Sequence, residues 1–381
     1  MYNPASFAPV WAEVDLKAIK HNFGEVQRLV KNKSRIMAVV KANAYGHGIS
    51  NVAEALDAAG ADYFAVARLD EAVCIREQGI KKPILILGYT PPEAAAELFR
   101  YNITQTVFST DYALRLNEKA RNCGKINIHI KVDTGMGRLG LVHETLNGML
   151  PENVVVIHQL PHLETEGIFT HFAASDDADK TSALSQLQKF KRILADLEQR
   201  SIRIPIRHAA NSAAIIDLPE SYLDMVRPGI MLYGLYPSNG VHQKNAALKP
   251  AMQIKARIAQ VKEVPAGFKI SYGHTYTTHV PTKLATIPLG YADGYRRQLS
   301  SAGKVLVHGQ QAPVVGRVCM DQSVIDVGKI KDVTAGDEVV IIGHQGEAEL
   351  SAERLACELG TINYEIVSTL MSRVTRIYHE I

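Results

Sequence analysis

The sequence predicts an α/β chain in which an N-terminal (β/α)8 barrel is followed by a mostly β domain. Three features predict it. Over the first two thirds, short apolar runs alternate with helix-compatible stretches, which implies a parallel sheet with crossover helices. One run, Ile126-Asn-Ile-His-Ile-Lys-Val-Asp133, carries Ile126, Ile128, Ile130 and Val132 on one face and Asn127, His129, Lys131 and Asp133 on the other. After about residue 245 the helical material almost disappears.

An open doubly wound sheet is the rival architecture, but strands covered by helices on both faces read apolar on both. A barrel strand packs one face under helices and turns the other into an enclosed interior, where those four polar side chains fit. The runs are Ile36–Val40, Tyr63–Ala67, Pro83–Leu87, Thr104–Phe108, Ile126–Val132, Gly167–His171, Ile206–Ala210 and Met225–Val226. These eight runs suit a closed barrel, whose usual size is about 250 residues.

In chain order, the opening run Val10–Val14 is strand-like and is expected to join the later β domain, which assigns residues 1–14 to that domain. Asp15 is placed to cap a helix with apolar positions Leu16, Ile19, Phe23, Val26 and Val30. Helices follow over Asn51–Ala59 after Ser50, over Glu71–Glu77 after Asp70, and over Glu93–Arg100, where Pro91-Pro92 suits a first turn. Thr110 and Asp111 precede Tyr112–Arg121, and Lys180–Gln199 is the longest. Residues 15–245 thus form the barrel domain and 246–381 the β domain. In the latter, strands are expected at Gln253–Val261, Lys283–Pro288, Lys304–Val307, Ala312–Val318, Ser323–Val327 and Glu338–Ile342. Two helices, Ala352–Leu359 and Asn363–Ser372, precede a last strand at Val374–Tyr378.

Composition narrows the function. The 381 residues carry 42 Lys+Arg against 39 Asp+Glu, and 46% are hydrophobic, which excludes disorder and gives no electrostatic footprint for nucleic acid. No apolar stretch approaches the roughly 18 residues a bilayer span needs. The N-terminus lacks a basic segment followed by an apolar one, so a cytoplasmic protein is expected. Cys74, Cys123, Cys319 and Cys357 are far apart and suggest neither a disulfide scaffold nor a metal site.

Several residues carry chemistry. Lys41 ends the run Ile36–Val40 and is followed at once by Ala42-Asn-Ala-Tyr-Gly-His-Gly48. Barrel active sites lie at the C-terminal ends of strands, and a lysine in a dry setting becomes a nucleophile toward carbonyls. On position alone, a lysine marking a strand's exit into water reads as well. Lys131-Val-Asp-Thr-Gly-Met-Gly-Arg-Leu-Gly140 ends a strand in a glycine-dense loop with Arg138, where backbone and guanidinium can approach an anion closely. His171 ends the run Gly167–His171, and His208 and Ser212 flank the end of the run Ile206–Ala210. Arg227 lies in the apolar segment Met-Val-Arg-Pro-Gly-Ile-Met-Leu-Tyr and requires partners.

Taken together, Ala38–Gly48, Lys131–Gly140, His171-Phe-Ala, Ala209-Ala-Asn-Ser212, Arg227-Pro-Gly-Ile230, Ser271-Tyr-Gly, Gly290-Tyr-Ala-Asp-Gly294 and Cys319-Met-Asp321 resemble the motifs of the alanine racemase family, in the family's order and along the whole chain. The resemblance implies pyridoxal 5′-phosphate joined to Lys41, with alanine as substrate and D-alanine supplied to cell-wall peptidoglycan. It also implies a homodimer whose active sites combine one subunit's barrel with the partner's β domain. In that pattern Arg227 faces the pyridine nitrogen, supported by His208, while Tyr45, Ser212, Gly229, Ile230 and Tyr364 cradle the phosphate. Tyr272, from the other subunit, is the second acid–base group. Arg138 and the Met320 backbone border the substrate carboxylate, and His171 sits beside the ring. Lys131 matches an N-carbamylated position that orients Arg138. Tyr291, Asp176, Arg297 and Arg317 match the access corridor.

The chemistry suits those residue types. Racemisation removes a proton from one face of Cα and returns one to the other, so two acid–base groups are needed. A lysine and a tyrosine can serve opposite faces, and a cation near a tyrosine favours its phenolate. A barrel-type decarboxylase of basic amino acids is the nearest rival, but such enzymes generally place an acid at the pyridine nitrogen, where this sequence has Arg227. A non-catalytic cofactor-binding barrel is the second rival, and the long segment after the barrel argues against it.

Overall fold

A computed structural model of the chain describes residues 7–31, 33–142 and 150–380. Residues 1–6 of the expected opening segment, and Ile381, lie outside them. The chain divides into two units, one made of Ala18–Ala44 with Ile49–Pro250, the other of Tyr45–Gly48, Ala251 onward and the described residues through Lys17.

The first unit is a closed parallel barrel. Strand β1 (Val10–Asp15) belongs to the other unit, so the barrel begins at β2 (Arg35–Val39). It continues through β3 (Tyr63–Val66), β4 (Ile84–Ile86), β5 (Thr104–Val107) and β6 (Ile126–Asp133). A two-residue strand β7 (Leu141–Val142) hangs on β6 outside the ring, which then runs through β8 (Leu163–Phe169), β9 (Ile206–His208) and β10 (Met225–Val226). Pairing of β10 with β2 and of β5 with β6 closes the circle of eight. Helices α1 (Leu16–Val30), α2 (Ile49–Ala58), α3 (Leu69–Glu77), α4 (Ala95–Arg100), α5 (Thr110–Ala120), α6 (Leu150–His158), α7 (Thr181–Gln199) and α8 (Ser212–Asp217) connect the strands. Their apolar stripes bury Phe23, Leu56, Ile75, Leu116 and Phe190 together with Phe64, Ile84 and Ile86 from the strands. Each such side chain contributes roughly 1.5–3 kcal/mol of burial. Along β6 the interior face is polar as expected: His129, Lys131 and Asp133 are all buried.

Several boundaries differ from the sequence expectation. Ser50 lies inside α2, whose first residue Ile49 instead donates its N–H to Asn43 Oδ1 at 2.8 Å. Ser109, not Thr110 or Asp111, caps α5 by accepting from the Tyr112 N–H. The sixth run begins earlier, at Leu163, and the helices α6 and α8 add to those expected. α6 holds the apolar run Val154–Ile157, too short for its periodicity to separate helix from strand.

In the second unit, β1 pairs antiparallel with β11 (Met252–Arg257). The expected strand Gln253–Val261 is in fact two. Ile258 and Ala259 leave one sheet for another, so β12 (Gln260–Val264) starts a separate antiparallel sheet. A small hairpin follows, β13 (Lys269–Ile270) with β14 (Tyr276–Thr277). Strands β15 (Thr282–Ile287), β16 (Lys304–Val307), β17 (Gln310–Pro313), β18 (Ser323–Asp326), β19 (Glu338–Gln345) and β20 (Ala348–Leu350) complete the β structure, before α9 (Ala352–Leu359) and α10 (Asn363–Ser368). Last comes β21 (Thr375–His379), parallel to β1. Among the described residues no helix is long and apolar enough to cross a membrane.

Candidate active site

Lys41 stands just past the C-terminal end of β2, and the chain beyond it makes an unusual turn. Ala42, Asn43, Ala44 and Tyr45 all take left-handed backbone angles, with φ between 50° and 53°. Each costs an L-residue roughly 1–2 kcal/mol. Glu71 of α3 offsets part of this: one carboxylate oxygen accepts the Ala42 N–H at 2.5 Å, and the other accepts the Ala67 N–H at 2.8 Å. Strain of this kind is typical of places where a side chain must be aimed. Burial lowers the Lys41 pKa, the Arg138 guanidinium lowers it further, and Glu71 opposes them.

The glycine-dense loop after β6 is folded around Asp133. Its carboxylate accepts the N–H groups of Gly135, Met136 and Arg138 at 2.9, 2.8 and 3.1 Å. Burial works to raise this pKa, but those backbone donors hold it below the usual carboxylate value. The loop returns through Gly140, whose φ of +134° and 2.7 Å approach of a would-be Cβ to the Asp133 nitrogen admit no side chain. Arg138 is thereby set at the barrel mouth. Lys131 lies deeper, 4.8 Å above the Phe169 ring, and burial with the nearby Arg227 and Arg138 charges brings its pKa down to about 7.

Arg227 is fully enclosed. Its Nη2 donates to the Thr170 and Ala209 carbonyls at 2.8 and 2.9 Å, and its Nη1 donates to His208 Nδ1 at 2.8 Å. No carboxylate pairs with it among the described residues, and burial lowers its pKa to about 9. His171 Nδ1 lies 3.3 Å from the same guanidinium. Burial first, and then the Arg227, Lys131, Arg138 and Lys41 charges, push the His171 pKa well below its ordinary value and keep the ring neutral. Ser212, at the start of α8, accepts the Gly229 N–H at 2.8 Å and lies 3.4 Å from the Met231 N–H, beside Ile230.

The second unit holds the rest of the expected residues except Asp176. Tyr45 and Tyr364 pack with ring centroids 6.1 Å apart. Tyr272 is at the tip of the β13–β14 hairpin and is 72% exposed, unusual for a large aromatic side chain. Ser271 before it has φ 62° and ψ −176°, a region used almost only by glycine. The Ser271 hydroxyl donates to the Arg317 carbonyl at 2.7 Å, tying the tip to the Arg317–Met320 segment. That segment in turn carries the Tyr291 turn, through the Tyr291 N–H on the Cys319 carbonyl and the Ala292 N–H on the Met320 carbonyl. Arg297 is exposed close by in sequence, whereas Asp176 belongs to the barrel unit, where its carbonyl accepts the Ser238 hydroxyl.

Comparison with known proteins decides the family. The description "Alanine racemase, N-terminal domain" matches residues 14–237, and "Alanine racemase, C-terminal domain" matches 251–378. The chain belongs to the alanine racemase family. It is 50% identical over 371 residues to an alanine racemase of Carboxydothermus hydrogenoformans, covering 97% of this chain and 99% of that one. Its fold matches an alanine racemase of Clostridium difficile 630 with TM-score 0.92 at 41% identity, covering 97% and 96% of the two chains. A Bacillus anthracis alanine racemase with bound L-Ala-P matches with TM-score 0.93 at 37% identity, covering 98% and 95%. Membership makes the chain an isomerase that interconverts the two enantiomers of alanine. The residues that sequence reading did not single out are Glu71, Glu166 and the scaffolding role of Asp133. Only Asp133 left a signal, as part of the polar face of β6.

Proposed function

We propose that Lys41 and Tyr272 are the two acid–base groups with which the chain interconverts L- and D-alanine, with pyridoxal 5′-phosphate joined to Lys41 and Tyr272 supplied by a second copy of the chain. The observation that carries this reading is the primary amine of Lys41, at a barrel strand's C-terminal end, aimed by a strained turn and lowered in pKa.

The side chains present fit the cofactor. Arg138 at the mouth and Arg227 deeper in the barrel supply positive charge suited to a substrate carboxylate and a phosphate. Ser212 with the Gly229 and Ile230 backbone offers neutral partners for the phosphate, a role the family resemblance also gives to Tyr45 and Tyr364. The bound cofactor would act as the electron sink that acidifies the Cα–H bond. Once the substrate's amine takes its place on the cofactor, the freed Lys41 amine would take or return the proton on one face, and a lowered pKa keeps that amine available as a base. Arg227 can only donate, so it disfavours protonation at the pyridine nitrogen and limits the sink. Tyr272, on its exposed hairpin tip, serves the opposite face across a homodimer. Arg138 and the Met320 backbone border the carboxylate, while Tyr291, Asp176, Arg297 and Arg317 line the approach.

Lys131, with a pKa of about 7, is neutral in a large share of molecules near neutral pH. That amine is able to take up CO₂, and the resulting carbamate would orient Arg138. We read residues 15–245 as the cofactor domain and 246–381, with 1–14, as the domain that completes the partner's site. The product serves wall peptidoglycan. The test is a visible spectrum of the purified protein, borohydride reduction and peptide mapping, with a chiral assay of alanine. The label is expected on Lys41 with racemisation of alanine. A colourless protein, or a label on another lysine, overturns the assignment.

A further inference from the structure

Below Arg227 the barrel interior holds a series of polar side chains that runs toward the N-terminal end of the strands. His208 Nδ1 accepts from Arg227 at 2.8 Å, and His208 Nε2 lies 2.8 Å from His129 Nδ1. His129 Nε2 lies 3.5 Å from Oε2 of Glu166, a charge contact rather than a hydrogen bond, and Nε2 has no hydrogen-bond partner among the described residues. Glu166 in turn accepts the Tyr63 hydroxyl at 2.6 Å and the Thr104 hydroxyl at 3.3 Å.

The polarity of the series is forced. A guanidinium has no acceptor, so His208 Nδ1 carries no proton. A neutral His208 therefore bears its proton on Nε2 and donates it to His129 Nδ1, which leaves the His129 proton on Nε2, facing the carboxylate. Burial keeps both rings neutral. Burial also opposes the charge on Glu166, but His129 and the Tyr63 and Thr104 hydroxyls hold its pKa below the usual value. The backbone is adapted to the arrangement. The pairing of β6 with β8 shifts register between Ile128 and His129, where Thr165 gives way to Gly167 as partner, so Glu166 is the extra residue of a bulge. A bulge re-aims a side chain, here into the interior. Gly167 beside it leaves the room: a Cβ there would stand 2.6 Å from the His129 ring.

We propose that Glu166 is a positioning residue for Arg227, supplying through the neutral His129–His208 pair the negative end that Arg227 lacks in its own surroundings. The two hydrogen bonds from Arg227 to His208 and from His208 to His129 polarise one another. The carboxylate 3.5 Å beyond acts on them through its charge rather than through a hydrogen bond, strengthening the His208 acceptor. Its consequence for catalysis rests on the racemase reading above.

The test reads the ring nitrogens by ¹⁵N-correlated NMR in cofactor-free protein, and kcat and KM in loaded enzyme. In wild type, His129 and His208 should both carry their proton on Nε2 only. Glu166→Gln keeps shape and an acceptor but removes the charge. The proton between the rings should then shift upfield and exchange with water about tenfold faster, with kcat about tenfold lower at unchanged KM. Glu164→Gln, the same change at the exposed Lys125 ion pair on the same strand, should match wild type in every readout. A proton on His208 Nδ1 in wild type overturns the proposal even if the Glu166 variant does not fold. Ring protons of Glu166→Gln that match wild type overturn it, as does an unchanged kcat. A wild-type chain that fails to racemise alanine sinks the racemase reading, while the ring-proton spectra still decide whether Glu166 positions Arg227.

Discussion

Two lysines of the barrel are both pushed toward neutrality, yet their surroundings suit different tasks. Lys131 sits deep over Phe169 with two guanidinium charges nearby, and its pKa falls to about 7. Lys41 is at the mouth, where burial and then Arg138 lower its pKa while Glu71 opposes them. A base that must take a proton from carbon and return it is served by that compromise. Tyr272 is the other half of the proposed pair. Tyr272→Phe removes one hydroxyl from an exposed hairpin tip and should leave folding and the cofactor's visible band intact. Racemisation should fall by at least about a thousandfold, a loss in the range of a general acid–base group. A chiral alanine assay checks it, and a variant within tenfold of wild type would refute the two-base scheme.

At the scale of elements, the segments that aim side chains are those in uncommon backbone conformations. The left-handed turn after Lys41 depends on Glu71, which faces four backbone N–H groups, on Ala42, Asn43, Ala67 and Arg68. Glu71→Ala should therefore lower stability by about 2–3 kcal/mol, since the donors lose a charged acceptor. Urea denaturation of the cofactor-free protein measures this, together with weaker retention of the cofactor by the misplaced Lys41. A change below about 0.5 kcal/mol would mean that other contacts hold the turn. Sequence reading could not find this role. Glu71 looked like one more acid in the first turn of a helix, and its partners lie 29 and 28 residues away at Ala42 and Asn43.

For the molecule as a whole, buried titratable groups make stability depend on pH. His129, His171 and His208 titrate below their usual value, chiefly because burial disfavours the charged ring. Below about pH 6.5 the unfolded chain binds protons that the folded one does not, so stability is lost as pH falls through that value. Lys131 acts in the same sense in a higher window. Its folded pKa is about 7 against an ordinary 10.5, so stability should rise as pH climbs from about 7 toward 10. Denaturation midpoints of the cofactor-free protein in CO₂-free buffer should increase from pH 5.5 to 9. Lys131→Met should flatten the part above pH 7, and an unflattened curve would show that Lys131 does not carry it.

The architecture is legible in the amino-acid order alone, and so are most of the residues proposed for the site. Eight apolar runs and the two-faced β6 point to a closed barrel because periodicity reports which side of a strand meets the core. Lys41, Lys131, Arg138 and Arg227 stood out because charged residues at the ends of apolar runs or inside them are costly unless used. How those residues are held is set by contacts between segments far apart in the chain. The crossing at Ile258–Ala259, the strained turn at Ala42–Tyr45 and the bulge that turns Glu166 inward all depend on partners far along the chain. Local propensity carries no record of such partners. The acids that set the site, Glu71 and Glu166, acquire their roles only when the barrel closes and brings distant strands within hydrogen-bonding reach.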